Sequence, residues 1–588
     1  MTALSADPLK DGGPVRIGLW WLVGLFLLAL AIRCIGILWG GIDSDEDISD
    51  PAKVLTGRLI PAFHYYPPLL NYLAAAGYAV LYAIGIPMRL WRNTADFRAA
   101  FFENPNPFLL VLRLVVSVTG AVAAPLSAAI AARLGLSRRS CLLVGVASAL
   151  LPISVWRSHI GKQDLGVAAG ALLAVWAMVR YPQESRRVAV VWFGVAVALA
   201  VSFKQSALFV VAPLGVALLL LARRTGQSWP RLAQDSSIAV AVAIIAWVPL
   251  NAGVWLDWSN FLDYQKVLAT MHMKGSGFRE TFEAVWPRLT DRFSGPTLPL
   301  FVGFLVTPLF WRRLDIFLIW TSTVVSVIVT AAISGARADV QLYVPQCVLI
   351  GTIGIMTWTW MAGRKDWSRW PGMVGLVSAF VVLVAGSFEV DRQALATPIR
   401  SQVAEALRKV DGIGRRRIMA TDVLLTGLPV AADADRDVME RDERLAQKYG
   451  VTLPPHYRPY PPEEEGRYYI RSLPWVISGL ENSDQKDVKL IKPFAWPLQP
   501  EEWRLPYWLS QGFTLFVIRD EEVWLSPLDQ PCPSRSPSLA DCYVSRVDAY
   551  RRLFAEIHGR CTLVAAIPAD RPLFEEADTK VYRCDPQT

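Results

Sequence analysis

The sequence carries little charge for its length. Of its 588 residues, 19% are Asp, Glu, Lys or Arg, whereas soluble domains average about 25%. It also lacks an internal repeat and a glycine-rich nucleotide loop, so it gives no sign of a repeat architecture or of nucleotide binding. The net charge of +8 does not indicate nucleic-acid binding, because membrane proteins concentrate Lys and Arg in the loops of the inner face.

Long apolar runs are abundant up to about residue 388. A membrane-crossing helix needs roughly 20 mostly apolar residues, and 53% of the chain is hydrophobic. The first run, 17–39, is too long for a signal peptide and no small-residue cleavage site follows it. The sequence therefore predicts a mostly α, multi-pass membrane protein. We predict eleven spans, near 17–39, 109–134, 140–157, 163–180, 187–203, 206–222, 237–256, 298–311, 314–333, 340–362 and 370–388.

Basic loops predict the orientation of these spans. Clusters of Arg and Lys occur at every second connection and are expected in the cytoplasm. This alternation holds only if the apolar segment 67–85 does not cross, so we predict a juxtamembrane helix there. The N-terminus is then cytoplasmic, and the first outer loop, 40–108, is outside the plasma (inner) membrane. The basic clusters are 133–139, 180–187, 222–231, 311–315 and 363–369.

The chain divides into a transmembrane domain, 1–390, and a soluble domain, 391–588. In the soluble part, 401–410 and 549–557 read as helices. Short apolar runs bounded by polar residues predict buried strands. Together these patterns predict a small extracytoplasmic α/β-type domain. The predicted strands are 417–424, 513–519 and 562–568.

Four of the seven cysteines fall in this polar part: Cys532, Cys542, Cys561 and Cys584. Four cysteines in one domain predict two disulfides, with three pairings open. Such bonds need an oxidising compartment, as the orientation above requires. The alternative is four free thiols in a cytosolic tail.

The densest acidic cluster follows the first span. The stretch I-D-S-D-E-D-I-S-D-P covers 42–51 and contains Asp45 and Glu46. A solvated cap on the membrane helix is the simplest interpretation, but acids contribute little to topology. A carboxylate at the membrane surface also serves as a general base towards a hydroxyl or ligates a divalent cation.

Two further motifs are predicted at the outer ends of spans. In F-H-Y-Y-P-P-L-L (63–70), paired prolines start a helix and place His64 and Tyr66 at headgroup level, where an aromatic belt is the alternative. In S-H-I-G-K-Q-D-L-G (158–166), His159, Lys162 and Asp164 are candidates because ionisable residues in such segments are usually functional. Snorkelling of the side chain to the interface is the alternative, for Lys162 more than for Asp164.

Two outer-face cations suit a lipid phosphate. Lys204 interrupts the apolar run 199–209, and Arg337 precedes a span that contains Tyr343. Cationic side chains bind phosphate oxygens through charge-assisted hydrogen bonds. Simple snorkelling to the interface is the alternative for both.

The order of these motifs resembles the C-type glycosyltransferases, which use polyprenyl- or dolichyl-phosphate sugars. An Asp-Glu pair follows the first span, Y-P-P-L opens a juxtamembrane helix, and S-H-x-x-x-x-D lies on the outer side. The similarity covers about 15–390 and extends to the protein O-mannosyltransferases and the aminoarabinose lipid A transferases. Unlike the mannosyltransferases, this chain has two tyrosines between His64 and Pro67.

The resemblance implies transfer of a sugar from a polyprenyl phosphate to an acceptor on the outer face. Asp45 is then the base, and Glu46 orients Asp45 or the acceptor. It implies that the leaving phosphate is held by three cations, Lys204, Arg337 and Lys162. The implied pocket residues are His64, Tyr66, His159, Asp164, His272 and Tyr343. Asp45 and Glu46 are also the candidates for a metal ion, although some relatives act without one.

Two other classes of protein are alternatives to the enzyme. A transporter or flippase of a lipid-linked or anionic substrate predicts midplane charges, broken helices and paired repeats. The charges here are predicted at the outer ends and no repeat occurs. A ligand sensor needs no carboxylate cluster, so Asp45→Asn would leave it unaffected.

Overall fold

The structure is a computed structural model. It describes residues 15–40, 46–61, 64–182, 186–272, 278–311, 313–334, 340–450, 467–474, 499–519, 537–574 and 576–584. The chain forms two compact units. The helical unit comprises Met1–Leu38, Asp43–Asn93 and Asn106–Leu395, and the sheet unit comprises Trp39–Ile42, Thr94–Pro105 and Ala396–Thr588.

The helices of the helical unit follow the apolar runs of the sequence. In chain order they are α1 (Leu19–Cys34), α2 (Ser49–Leu55), α3 (Leu69–Gly85), α5 (Asn106–Ala121), α6 (Ala123–Arg133), α7 (Arg138–Ala149), α8 (Pro152–Ser158), α9 (Asp164–Arg180), α10 (Arg186–Phe203), α11 (Leu208–Arg224), α12 (Trp229–Leu250), α13 (Ala252–Leu256), α14 (Trp258–His272), α15 (Phe278–Thr290), α16 (Leu298–Phe310), α17 (Leu314–Ser334), α18 (Val340–Ala362) and α19 (Arg369–Leu395), while α4 (Thr94–Glu103) belongs to the sheet unit.

Six of the helices among the described residues are long and apolar enough to cross a membrane. They are Asn106–Arg133, Gln205–Arg224, Trp229–Leu250, Leu314–Ile333, Tyr343–Ala362 and Arg369–Arg408, and the bent pair α7 and α8 makes a seventh if it is one span. Each of the eleven predicted spans coincides with one helix or two consecutive helices. The protein is a multi-pass membrane protein, and the count of eleven remains a prediction.

Two helix breaks shape the end of the bundle that carries the predicted site. Proline has no N–H to donate and clashes with the preceding turn, so α7 ends before Pro152 and α8 continues at 48° to it. Between α10 and α11, Lys204 is extended, with φ −157° and ψ 132°. The paired prolines also act as predicted, because α3 begins at Leu69 directly after Pro68.

Burial differs sharply among the apolar helices. In the most apolar segment of α18, 94% is buried inside the protein, whereas in the corresponding segment of α12 only 11% is buried. Gly354 of α18 has no room for a side chain, because a Cβ there would clash with the carbonyl of Leu300. Small residues let membrane helices approach this closely, so α18 lies in the core of the helical unit and α12 lies at its periphery.

The sheet unit contains a five-stranded mixed sheet. The strand order is β2-β1-β3-β5-β4. Strands β2, β1 and β3 are parallel to one another, β5 is antiparallel to β3, and β4 is antiparallel to β5. The strands are β1 (Arg417–Ala420), β2 (Ile470–Ser472), β3 (Phe513–Arg519), β4 (Thr562–Ile567) and β5 (Thr579–Arg583). The helices are α20 (Ile399–Arg408), α21 (Ala432–Tyr449), α22 (Leu505–Ser510) and α23 (Pro537–Arg560).

Alternating side chains of the strands supply two apolar cores, one on each face of the sheet. Phe516 packs with Phe554 of α23 on one face, whereas Leu515 and Val517 pack with Val403 of α20 on the other. All three predicted strand regions are strands, although the first is shorter than predicted; β2 and β5 are additional.

Among the described residues, one disulfide is present, between Cys561 and Cys584, and it joins the start of β4 to the end of the neighbouring β5. Of the other two candidates, Cys542 lies within α23 and Cys532 lies outside the described residues.

Candidate functional site

Glu46 is buried in a bidentate ion pair. Arg113 of α5 donates from Nε to Oε1 at 2.8 Å and from Nη2 to Oε2 at 2.6 Å. The backbone N–H of Gly161 also donates to Oε1, at 2.6 Å. Charge-assisted bidentate bonds are strong and directional, so they fix the chain at the residue that follows Asp45.

Arg113 is a residue that the sequence reasoning missed. It is fully buried, and its Nη1 also donates to the carbonyl of Ile37 at 3.1 Å. The available signal was an arginine inside the apolar run 109–116, since an ionisable residue within a membrane helix is usually functional. Its contacts connect α5, the end of α1 and the acidic cluster.

Asp164 and Lys204 form a second buried pair. Lys204 Nζ donates to Asp164 Oδ1 at 2.8 Å, and their side chains are 9% and 2% exposed respectively. Asp164 Oδ2 is buried and has no hydrogen-bond partner in the described chain. The ammonium also lies 5.3 Å from the centre of the Tyr66 ring, a cation–π distance. The extended backbone at the α10–α11 break carries Lys204 into this position.

His64 forms a third pair with Asp257, which directly precedes α14. His64 Nε2 lies 2.7 Å from Asp257 Oδ2, and Asn260 donates to the other carboxylate oxygen. His64 Nδ1 is buried without a hydrogen-bond partner among the described residues. Burial raises the pKa of Tyr264 to about 12, and the neighbouring Tyr65 and Asp257 contribute to this increase. Tyr264 therefore stays neutral beside this pair.

The three pairs form one path through the helical unit. The short loop from Gly161 to Asp164 connects the first pair to the second. Tyr66 and His64 are two residues apart in the chain and connect the second pair to the third. The path thus brings together Glu46, Asp164, Lys204, Tyr66 and His64, which are five of the candidates predicted from the sequence.

Three other candidates, His159, Lys162 and Tyr343, are also buried in the helical unit. His159 lies in the loop between α8 and α9, and its ring nitrogens face the carbonyls of Val155 and Ile35 at 2.8 and 2.6 Å. It therefore fastens the end of α1 to α8. Lys162 is buried in the same loop, and Tyr343 is buried within α18.

The remaining candidates cannot be placed by side chain. Asp45 and Arg337 lie outside the described residues, and for His272 only its backbone position at the end of α14 is described. The roles predicted for these three residues stay predictions.

The described side chains around Glu46 do not fit a metal ion. Across the described ranges, no three His, Cys, Asp or Glu side chains converge as a metal site would require. The Glu46 carboxylate is already neutralised by Arg113 and bonded to Gly161. We therefore derive no step through a metal ion.

Residues 62–267 match the family of dolichyl-phosphate-mannose-protein mannosyltransferases. This range contains Arg113, Asp164, Lys204 and both members of the His64–Asp257 pair. The predicted resemblance to the C-type glycosyltransferases is confirmed. At the level of the family, the match supports a membrane glycosyltransferase that uses a polyprenyl-phosphate-linked sugar. No curated protein matches the chain in sequence.

The chain is similar to three solved structures and shares the fold of the first of them. ArnT from Cupriavidus metallidurans, bound to undecaprenyl phosphate, is 12% identical with a TM-score of 0.51, and the match covers 97% of this chain and 100% of that one. The Archaeoglobus fulgidus oligosaccharyltransferase, in complex with Zn and sulfate, is 12% identical with a TM-score of 0.43, covering 86% and 68% of the two chains. The S. cerevisiae Pmt1–Pmt2 complex bound to the sugar donor is 16% identical with a TM-score of 0.34, covering 44% and 36%.

Proposed function

We propose that the chain transfers a sugar from a polyprenyl-phosphate donor to an acceptor on the outer face of the plasma membrane. The observation that carries this proposal is the path of buried charges from Glu46 through Asp164 and Lys204 to the His64–Asp257 pair. Most of that path lies within the range that matches the mannosyltransferase family. The predicted topology, with a cytoplasmic N-terminus and an extracytoplasmic domain from about residue 391, puts the path on the outer side.

In the proposed reaction, Asp45 takes the proton from an acceptor hydroxyl. The acceptor oxygen then bonds to the anomeric carbon while the bond from that carbon to the phosphate oxygen breaks. General-base catalysis of this kind typically contributes about 10²–10⁴-fold. Glu46 acts as a positioning residue, because its bonds to Arg113 and Gly161 hold the chain next to Asp45.

The leaving group is a polyprenyl phosphate, which gains negative charge as the sugar departs. Preorganised cations stabilise such charge more effectively than water does. Lys204 fits this role because Asp164 Oδ1 accepts a hydrogen bond from its ammonium and holds this cation at the junction of α10 and α11. Arg337 and Lys162 are proposed to assist it. The proposed pocket walls are His64, Tyr66, His159, Asp164, His272 and Tyr343.

The test uses purified protein in liposomes with a panel of undecaprenyl- and dolichyl-phosphate sugars. Release of the polyprenyl phosphate, with acceptor extract present, supports a glycosyltransferase and names its donor. Lys204→Met is measured in parallel; this variant should fold but release much less polyprenyl phosphate than the wild type. Absence of release from every donor, with a folded protein, contradicts the proposal.

A transporter is the second candidate, and one observation favours it. Many transporters use broken helices, and α7 and α8 form a helix pair that is bent by 48° at the break before Pro152. Flux of a fluorescent lipid-linked sugar across the same liposomes, without formation of free polyprenyl phosphate, would support transport over transfer.

A further inference from the structure

The short helix α8 buries an arginine that lies outside the three pairs described above. Arg157 is only 4% exposed. Its Nε and Nη1 are buried and have no hydrogen-bond partner in the described part of the chain. The indole Nε1 of the preceding residue, Trp156, is buried and unpartnered in the same way. Three adjacent donors are therefore left without acceptors.

Two other buried arginines of the helical unit are held by protein groups, although Nε of Arg33 has no hydrogen-bond partner among the described residues. Arg113 is paired with Glu46, and Arg33 donates to the carbonyls of Ala29 and Ala149 and to Ser154 Oγ. Arg157 instead rests on the face of the Trp156 ring, 4.2 Å from its centre. Burying a cation without an anion is costly, and a ring face offsets only part of that cost.

Arg157 also lies close to the proposed site along the chain. Its carbonyl accepts from the N–H of Ile160, and the next residue, Gly161, donates to Glu46. Ser117 of α5 donates to the carbonyl of Ser158. Arg157 therefore lies only four residues before Gly161, which is bonded to the Glu46 of the Glu46–Arg113 pair.

We infer that Arg157 and Trp156 form a binding site for a phosphate group. A guanidinium presents planar N–H donors that match two phosphate oxygens, and the indole N–H supplies one more donor. The inference rests on the proposed function, in which a polyprenyl phosphate is the leaving group. It assigns to Arg157 a part in holding that phosphate, whereas Lys204 is already partly neutralised by Asp164.

The test measures binding rather than turnover. Delipidated protein in detergent is titrated with undecaprenyl phosphate, and in parallel with inorganic phosphate, by calorimetry and by the shift in thermal midpoint. The variants are Arg157→Met, which keeps the bulk and removes the charge, and Trp156→Phe, which keeps the ring and removes the donor. Arg223→Met is the matched control, because Arg223 also lies over a tryptophan ring, that of Trp229, but is exposed.

For Arg157→Met we expect affinity for undecaprenyl phosphate to fall about 10- to 100-fold, as for the loss of hydrogen bonds to a charged group. Trp156→Phe should lower it less. The ligand-free Arg157→Met protein should be as stable as wild type or more stable, because an unpaired buried charge has been removed. A purely structural arginine predicts the opposite, a lower midpoint without ligand.

The arms of the titration also identify the source of the phosphate. Binding of undecaprenyl phosphate alone assigns the site to the lipid, and equal, Arg157-dependent binding of inorganic phosphate assigns it to a free anion. Unchanged affinity in folded Arg157→Met overturns the inference. If wild type binds through Arg157 but releases nothing from any donor, the phosphate site stands and the glycosyltransferase proposal fails.

Discussion

In each unit of the molecule, the described residues include a buried Arg–Glu pair in which the arginine donates to both carboxylate oxygens. In the helical unit, Arg113 donates to both oxygens of Glu46 at 2.8 and 2.6 Å. In the sheet unit, Arg441 donates to both oxygens of Glu502 at 2.7 and 2.6 Å. The pairs differ in what surrounds them rather than in their own bonds.

In the sheet unit, the arginine has a second carboxylate beside it, since Arg441 also bonds Asp442 at 3.1 Å. In the helical unit, the pair leads through Gly161 to two ionisable groups, and their atoms Asp164 Oδ2 and His64 Nδ1 have no hydrogen-bond partner among the described residues. Beside Glu502 in the sheet unit, the atom without a partner is the neutral indole N–H of Trp503. A buried ion pair is therefore weak evidence of function by itself. Unpartnered ionisable groups next to such a pair are better evidence, because burying them costs stability.

The largest effect should come from removing one partner of either pair. Arg113→Gln and Arg441→Gln should each lower stability by about 3–5 kcal/mol, because a carboxylate is left buried without its cation. Only Arg113→Gln should also abolish release of polyprenyl phosphate per folded molecule. The measurements are thermal unfolding in detergent and turnover normalised to folded protein. Equal loss of normalised turnover in both variants would mean that the two pairs are functionally equivalent.

The next effect concerns Lys204. Lys204→Met should lower the rate of release about 10²–10³-fold, as for removal of one group that stabilises developing charge. The double variant Asp164→Asn/Lys204→Met separates stability from chemistry, since it also removes the carboxylate that the single variant leaves unpaired. It should recover the thermal midpoint but not the rate. Recovery of the rate in the double variant would show that Lys204 serves only to neutralise Asp164.

A disulfide prediction applies to the sheet unit. The Cys561–Cys584 bond spans 23 residues, and removing it as the double serine variant should cost about 3 kcal/mol. The rate of release per folded molecule should stay unchanged if the chemistry belongs to the helical unit. Peptide mapping without reductant checks the bond and shows whether Cys532 and Cys542 form the second one. A large change in rate would involve the sheet unit in catalysis.

The smallest effect should come from Asp257→Asn. This change keeps the shape of the side chain but gives His64 a neutral amide as its partner in place of a carboxylate. The rate of polyprenyl phosphate release should therefore fall about 10-fold, which corresponds to about 1.4 kcal/mol in activation free energy. Asn260→Ala is the control, because it removes only the hydrogen bond to Asp257 Oδ1, the carboxylate oxygen that is not bonded to His64. Equal losses in both variants would point to loosening of the turn before α14 rather than to the charge facing His64.

The apolar runs were enough to predict most helices, because a run of suitable length leaves few alternatives in a membrane. Charge pairing was harder to predict. Glu46 and Asp164 were both singled out, but Arg113 lies 67 residues from Glu46, and His64 and Asp257 lie 193 residues apart. Such pairs depend on the packing of several helices. Strand β2 is only three residues long and offers no periodicity to recognise.

The most direct test compares Asp45→Asn with Asp43→Asn, both in the acidic cluster that follows the first span. Release of polyprenyl phosphate from the active donor is measured per folded molecule, together with the thermal midpoint. The proposal predicts that Asp45→Asn keeps its midpoint and loses at least about 100-fold in rate, while Asp43→Asn changes little. A wild-type rate in folded Asp45→Asn would contradict the assignment of the base and with it the proposed mechanism.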